Sequence, residues 1–274
     1  MQPLQIGVCS WSLAIPDLAQ ALVTVRDKLK LGLVQVGFFD DGYKDINKMV
    51  DLVTESRLEV SATCVGFAGE DYSSIQNIAA SGGYIPNSLW EERRAKTIAV
   101  ADITAKLGVK LLAAHVGFVP HDREDAQYLR LVGRLRDICD ALGARGITLV
   151  METGQEQAEA LIDFIEAVGC RNIGVNFDPA NMILYGVGEP LEAVALLKER
   201  IVHVHMKDAN WSAKPGRDWG AEVVLGTGQA DIPRIVSKLR AQGYRGPLVI
   251  EREAGNQRLA DIQEAARLLE SLVR

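Results

Sequence analysis

The chain is 274 residues long, 48% hydrophobic and 24% charged, with a net charge of −6. That supplies apolar material for one sizeable core, and the negative balance argues against nucleic acid as a partner. No apolar run is long enough to cross a bilayer, the start MQPLQIGVCSW lacks the segments of a signal peptide, and the four cysteines have no paired spacing, so the reading is a cytoplasmic protein in a reducing compartment.

In chain order, the strand candidates are QIGVCSW, LVQVGF, EVSATCV, KLLAAHV, GITLVME, IGVNFD, IVHVHM and PLVIE. Each is short, rich in apolar residues and bounded by polar residues, Gly or Pro, as buried strands are. Helix-period segments lie between them. After Tyr128 the apolar positions Leu131, Val132, Leu135, Ile138, Cys139 and Leu142 fall on one helix face. Near the end Leu259, Ile262, Ala265, Ala266, Leu269, Leu272 and Val273 repeat the pattern. Eight strands that alternate with helices predict an α/β protein with a single (β/α)8 TIM barrel as one domain over residues 1–274. A doubly wound open sheet fits the same periodicity. The longest irregular stretch, Gly66 to Leu89, follows the third strand and reads as a lid or a plain insertion.

In a barrel, the C-terminal ends of the strands carry the active site, and residues two apart share a face. The fifth strand then ends on Glu152, the sixth on Asp178 and the eighth on Glu251. On the seventh, His203 and His205 face the same way, with His205 nearer the three carboxylates and His203 one layer lower. Three converging carboxylates raise one another's cost of ionisation, and a divalent cation removes that cost. Two Glu, one Asp and one His suit Mn²⁺, Mg²⁺, Co²⁺ or Zn²⁺, and the excess of oxygen leans toward the harder ions, Mn²⁺ first. A lone carboxylate at a strand end is commonly a helix cap; four groups at the same end of four strands point to a site. His203 reads as a hydrogen-bonded core histidine and His121 as a solvated one.

The runs METGQE, NFDPANM, HVHMKD and IEREAG, in this order at the ends of strands five to eight, resemble the sugar-phosphate isomerase/epimerase family with the xylose-isomerase-like barrel. The resemblance spans essentially the whole chain. It implies one metal held by Glu152, Asp178, His205 and Glu251, with Glu152 and Glu251 also exchanging protons with the substrate. Three positions depart from the better-known epimerases: Asn181 stands where they often have His, Trp211 where they have Arg, and Ala158 where they have Glu. The same superfamily contains a three-zinc abasic-site endonuclease, but here the third strand offers Cys64 rather than a histidine, and Asn181 replaces another ligand.

The chemistry expected is proton removal beside a metal-polarised carbonyl of a sugar, keto-sugar or sugar phosphate, through an enediolate. Proton return on the other face epimerises; return to the neighbouring carbon isomerises. A lyase or dehydratase, or an enzyme that cleaves a 3-keto-glycoside, would use the same site, and a non-catalytic sugar-binding barrel is a further alternative. His115, Asn181, Lys207, Glu156, Trp11 and Trp211 are the candidate carbohydrate contacts, the tryptophans by stacking on a sugar ring. The assembly expected by default is a homodimer.

One segment, VVLGTGQADI, has the look of a dinucleotide-binding turn, with Glu251 about 20 positions later. Asp231 occupies the third glycine position, and the segment lies too near the C-terminus to begin a nucleotide half-domain. Gly226 and Gly228 are therefore read as a turn, with Asp231 capping the next helix and Pro233 in its first turn. Lys214 and Arg217 lie near enough in sequence to serve a phosphate there.

Overall fold

The computed structural model describes residues 4–274. Its barrel strands are β1 (Ile6–Cys9), β2 (Leu33–Phe38), β3 (Glu59–Val65), β4 (Leu111–Ala114), β5 (Thr148–Glu152), β6 (Ile173–Phe177), β7 (Ile201–Met206) and, after a short hairpin of β8 (Asp208–Asn210) and β9 (Ala221–Val223), β10 (Leu248–Ile250). The eight parallel strands close in the order β1-β10-β7-β6-β5-β4-β3-β2. All eight strand segments expected from the apolar runs are barrel strands, and the open-sheet alternative is excluded by this closure. Among the described residues no helix is long and apolar enough to cross a membrane.

The outer layer contains α1 (Leu18–Thr24), α2 (Ile46–Glu55), α3 (Ile75–Ser81), α4 (Trp90–Lys106), α5 (Ala126–Gly143), α6 (Ala158–Val168), α7 (Pro179–Tyr185), α8 (Pro190–Leu196), α9 (Ile232–Ala241) and α10 (Arg258–Val273). In α5, Leu131, Val132, Leu135, Ile138, Cys139 and Leu142 are all buried, so the three-four spacing faces the sheet as predicted. α10 buries Ile262, Ala265, Ala266, Leu269 and Val273, with Leu259 and Leu272 partly covered. The main core lies between strands and helices; a small separate cluster of Cys64, Ala113 and Val150 fills the barrel lumen below Trp11.

Two register steps shape that lumen. Pairing of β2 with β3 skips Ser61, and pairing of β6 with β7 skips Val202. Such bulges re-aim side chains. The first places Ser61 Oγ 3.0 Å from His203 Nε2. The second sets His203 beside Asn176 and leaves Val202 37% exposed.

The stretch from Gly66 to Leu89 differs from the irregular loop expected. It contains α3 and a short 3-10 turn at Asn87–Leu89. Ser74 caps α3 by accepting from Asn77 N at 3.0 Å, and Ile75 and Ile78 are buried. Seven residues with only two large apolar side chains are too short a run to display a period, so packing reveals this helix. The segment is tied down rather than free. Arg93, 2% exposed, donates to the carbonyls of Ser81, Gly83 and Ala68, and its guanidinium lies 5.1 Å from the Phe67 ring centroid. Glu70 accepts from Phe67 N at 3.1 Å and from Gly83 N at 2.8 Å.

The hairpin was not foreseen as strands. It hangs from Asp208, whose carboxylate accepts from Gly226 N and Gly228 N at 2.9 Å and from Ala230 N at 3.1 Å. The two glycines thus form the expected turn. Asp231 caps α9 with Pro233 in its first turn, which leaves no room for the dinucleotide reading.

Gly83 has φ +54°, and a Cβ there would lie 2.0 Å from the Val116 carbonyl carbon. Because the obstacle is backbone, Gly83→Ala is expected to lower unfolding free energy by about 2–4 kcal/mol. Urea denaturation checks this, and a loss below about 1 kcal/mol would show that the loop yields.

Candidate metal and proton-transfer site

A cavity of about 340 Å³ opens at the C-terminal ends of the barrel strands. Four polar groups converge here from four strands; Glu152 and Glu251 line the cavity, while Asp178 and His205 are buried and outside its lining. Glu152 closes β5, Asp178 follows β6, His205 lies on β7 and Glu251 follows β10. One ligand-type atom from each lies within 4.8 Å of all the others. Cross-strand register explains the convergence: Glu152 pairs with Asn176, and His205 pairs with Val249 two residues before Glu251.

His205 is the hub. Its Nδ1 lies 2.8 Å from Glu152 Oε1, 3.4 Å from Glu251 Oε2 and 3.8 Å from Asp178 Oδ2. Its Nε2 lies 2.6 Å from Gln35 Oε1 and 3.6 Å from Cys9 Sγ. Gln35 Oε1 accepts a hydrogen bond from Nε2–H, which leaves Nδ1 facing the carboxylates, as an outer partner of a metal-binding histidine does. Gln35 was missed in the sequence; the signal was a polar residue in the otherwise apolar run LVQVGF.

Asp178 divides its carboxylate between two tasks. Oδ1 accepts from Asn181 N at 2.9 Å and caps α7. Oδ2 is buried with no hydrogen-bond partner. A buried, orphaned carboxylate oxygen facing two glutamates and an imidazole nitrogen needs a cation or a proton. Burial pushes the Asp178 carboxyl well above the usual range, with Glu251 and Glu152 adding to it against Lys207 and His205. Burial works against charge on Glu251 also, but Lys207 and His205 outweigh it and hold Glu251 well below the carboxylate norm. Burial likewise opposes charge on His205; its Cys9, Glu251 and Glu152 neighbours overcome that and hold the ring well above its ordinary value. The donor set, three carboxylates and one imidazole around an orphaned oxygen, fits a divalent cation.

His203 is fully buried one layer lower. Its Nδ1 lies 2.9 Å from Asn176 Oδ1 and its Nε2 faces Ser61. Burial, reinforced by His205, keeps it neutral and well below its ordinary value. His121 is exposed.

Trp11, His115, Asn181 and Lys207 line the cavity; Glu156 and Trp211 do not. Trp11 Nε1 donates to Glu251 Oε1 at 2.8 Å, and its ring meets Phe39 edge-on at 5.2 Å. Lys207, 3% exposed, donates to Glu251 Oε2 at 3.0 Å, Glu253 Oε2 at 2.6 Å and Asn181 Oδ1 at 3.4 Å. His115 meets Gln155 through Nε2, while its Nδ1 is buried without a hydrogen bond, 3.9 Å from Glu70 Oε1. Burial lowers its pKa and favours the neutral ring. Trp211 packs on the core, with its backbone N–H on Gln229. Trp219, which was not singled out in the sequence, lines the wall instead, 4.6 Å from Tyr185. Glu70, Tyr72 and Glu222 also line it; the loop that carries the first two and the three-residue β9 that carries the third gave no periodic signal.

Glu156 is 5% exposed and accepts from Val119 N at 2.8 Å. Burial raises its pKa to about 8, partly offset by that hydrogen bond.

The profile of the family described as the xylose isomerase-like TIM barrel matches residues 29–272. A solved xylose isomerase domain protein from Planctomyces limnophilus is 32% identical, with a TM-score of 0.89 over 99% of this chain and 98% of that one. A D-tagatose 3-epimerase-like protein shares the fold at 17% identity, with a TM-score of 0.74 over 98% of each chain. Rhizopine catabolism protein MocC of Rhizobium meliloti is 30% identical over 139 residues, which are 44% of this chain and 41% of that protein. The match therefore spans less than half the length of that curated relative.

Two outcomes are expected from this geometry. Elemental analysis of the purified protein should find about one divalent cation per chain, retained in His203→Ala and lost in His205→Ala; equal loss in both variants would contradict the assignment of His205. Glu156, with its folded pKa raised from 4.5 to about 8, binds more protons folded than unfolded between those values. Its contribution to stability is complete below the unfolded pKa and is lost as pH rises through about 8. Glu156→Gln should flatten the decline of Tm between about pH 5 and 9; parallel wild-type and variant profiles would refute this.

Proposed function

Because the chain belongs to the xylose isomerase-like TIM-barrel family, we propose that it is a divalent-metal-dependent isomerase or epimerase of a carbohydrate. The observation that carries this reading is the pair Glu152 and Glu251, each part of the cation-competent cluster and each lining the cavity. Mn²⁺ is the first choice of cation, on the oxygen-rich donor set. When bound, the cation supplies Lewis-acid polarisation of a substrate carbonyl and neutralises charge that develops beside it.

The chain's own groups do the rest. Glu251 is held anionic by Lys207 Nζ at 3.0 Å and oriented by Trp11 Nε1 at 2.8 Å. Glu152 is oriented by His205 and keeps 17% of its side chain exposed. In this reading one glutamate takes the proton from the carbon next to the carbonyl and the other returns one. Return to the opposite face inverts the centre; return to the former carbonyl carbon, with the hydroxyl proton passing to the other oxygen, moves the carbonyl. The aromatic wall of Trp11, Tyr185 and Trp219 offers apolar faces to a sugar ring and keeps bulk water from the reacting carbon.

Elimination of a β-substituent is a second reading, supported by His115, which lines the same cavity with no hydrogen bond at Nδ1 and is placed to donate one to a leaving oxygen, the proton itself coming from the glutamate that took it.

The test is deuterium incorporation from D₂O into a panel of keto-sugars, followed by product analysis. Glu152→Gln and Glu251→Gln should each lower exchange by about 10²–10⁴-fold while the protein stays folded. Exchange that survives in both variants would sink the two-glutamate mechanism. Tight ligand binding without exchange in the wild type would favour a binding barrel.

A further inference from the structure

The charge around the cavity restricts the substrate beyond the class just proposed, on which this inference rests. Five lining residues are glutamates: Glu70, Glu152, Glu222, Glu251 and Glu253. Lys207 is the sole lysine or arginine among the described residues of the lining. It is committed to Glu251 at 3.0 Å and Glu253 at 2.6 Å. Lys214 and Arg217, the cations that the sequence offered for a phosphate, are exposed and outside the lining. Arg252 is neutralised by Glu222 at 2.7 Å and Asp261 at 2.9 Å. Even with a divalent cation bound, the carboxylates outnumber the positive charges.

The backbone tells the same story. Barrel enzymes commonly hold a substrate phosphate on free N–H groups in the loops after the seventh and eighth strands. Both sets of amides here are occupied by the chain's own carboxylates. After the seventh strand, Asp208 takes Gly226 N, Gly228 N and Ala230 N at 2.9–3.1 Å. After the eighth, Glu222 takes Glu253 N at 2.9 Å and Ala254 N at 3.2 Å. Displacing either would strip a buried carboxylate of amide donors it now holds, a cost an incoming phosphate would have to meet.

We infer that the substrate is an uncharged, unphosphorylated polyhydroxylated carbonyl compound of monosaccharide size, and that Asp208, Glu222 and Glu253 exclude phosphorylated and acidic sugars. Size follows from the cavity of about 340 Å³, at the small end of ligand sites.

The experiment measures binding to the metal-loaded protein by calorimetry for matched pairs: fructose with fructose 6-phosphate, ribulose with ribulose 5-phosphate, and fructose with 5-ketogluconate. The neutral member of at least one pair should bind ten-fold or more tighter than its charged partner. Glu253→Gln, which releases Lys207 from one carboxylate, should narrow that preference at least three-fold. Equal or tighter binding of the charged members overturns the inference, as does binding of neither in a protein that carries its metal. An unchanged preference in Glu253→Gln overturns the role given to Glu253. A protein that holds no cation fails the parent reading instead, and metal analysis separates the two failures.

Discussion

Three carboxylates share one buried imidazole at the mouth of this barrel, and much of the surrounding structure serves that arrangement. His205 Nδ1 lies within 4 Å of Glu152, Glu251 and Asp178. Such a cluster is tolerable only when positive charge lies among the acids. Lys207 supplies part of it at 3.0 Å from Glu251. The orphaned Asp178 Oδ2 marks where more is required. The nitrogen facing the acids is fixed from behind, by Gln35 on Nε2. That layer rests on a second one, His203 between Asn176 and Ser61.

The barrel makes this stack by departing from regular pairing. The steps at Ser61 and Val202 bring a small hydroxyl and a neutral imidazole together in the lumen. An uninterrupted ladder would place each of their successors on the other face. The cost is visible at Val202, a valine left partly in solvent.

Above the cluster, the walls come from segments outside the regular strand–helix repeat. The loop after β3 brings Glu70 and Tyr72, anchored by Arg93 from α4. The hairpin after β7 brings Trp219 and Glu222, anchored by Asp208 and Arg252. In both, buried ionic groups satisfy backbone amides or carbonyls, so the walls are set before any ligand arrives, which lowers the entropic cost of binding.

The sequence by itself determined the eight barrel strands, the buried faces of α5 and α10, and which polar residues stand at strand ends. These properties are local: a short apolar run has one period, and a period assigns each side chain a face. Glu152, Asp178, His205 and Glu251 could be named together for that reason, and His203 separated from them by depth. The tertiary structure alone decided what lies across the barrel. Gln35 meets His205 from a strand 170 residues away. Trp219 reaches the cavity while Trp211, eight residues earlier, packs partly buried against the core. Glu156 points to Val119 rather than toward the cavity. α3 exists because two isoleucines find cover, which no seven-residue pattern announces. Such contacts depend on barrel closure and on loops that pack by charge and shape, and neither leaves a periodic trace along the chain.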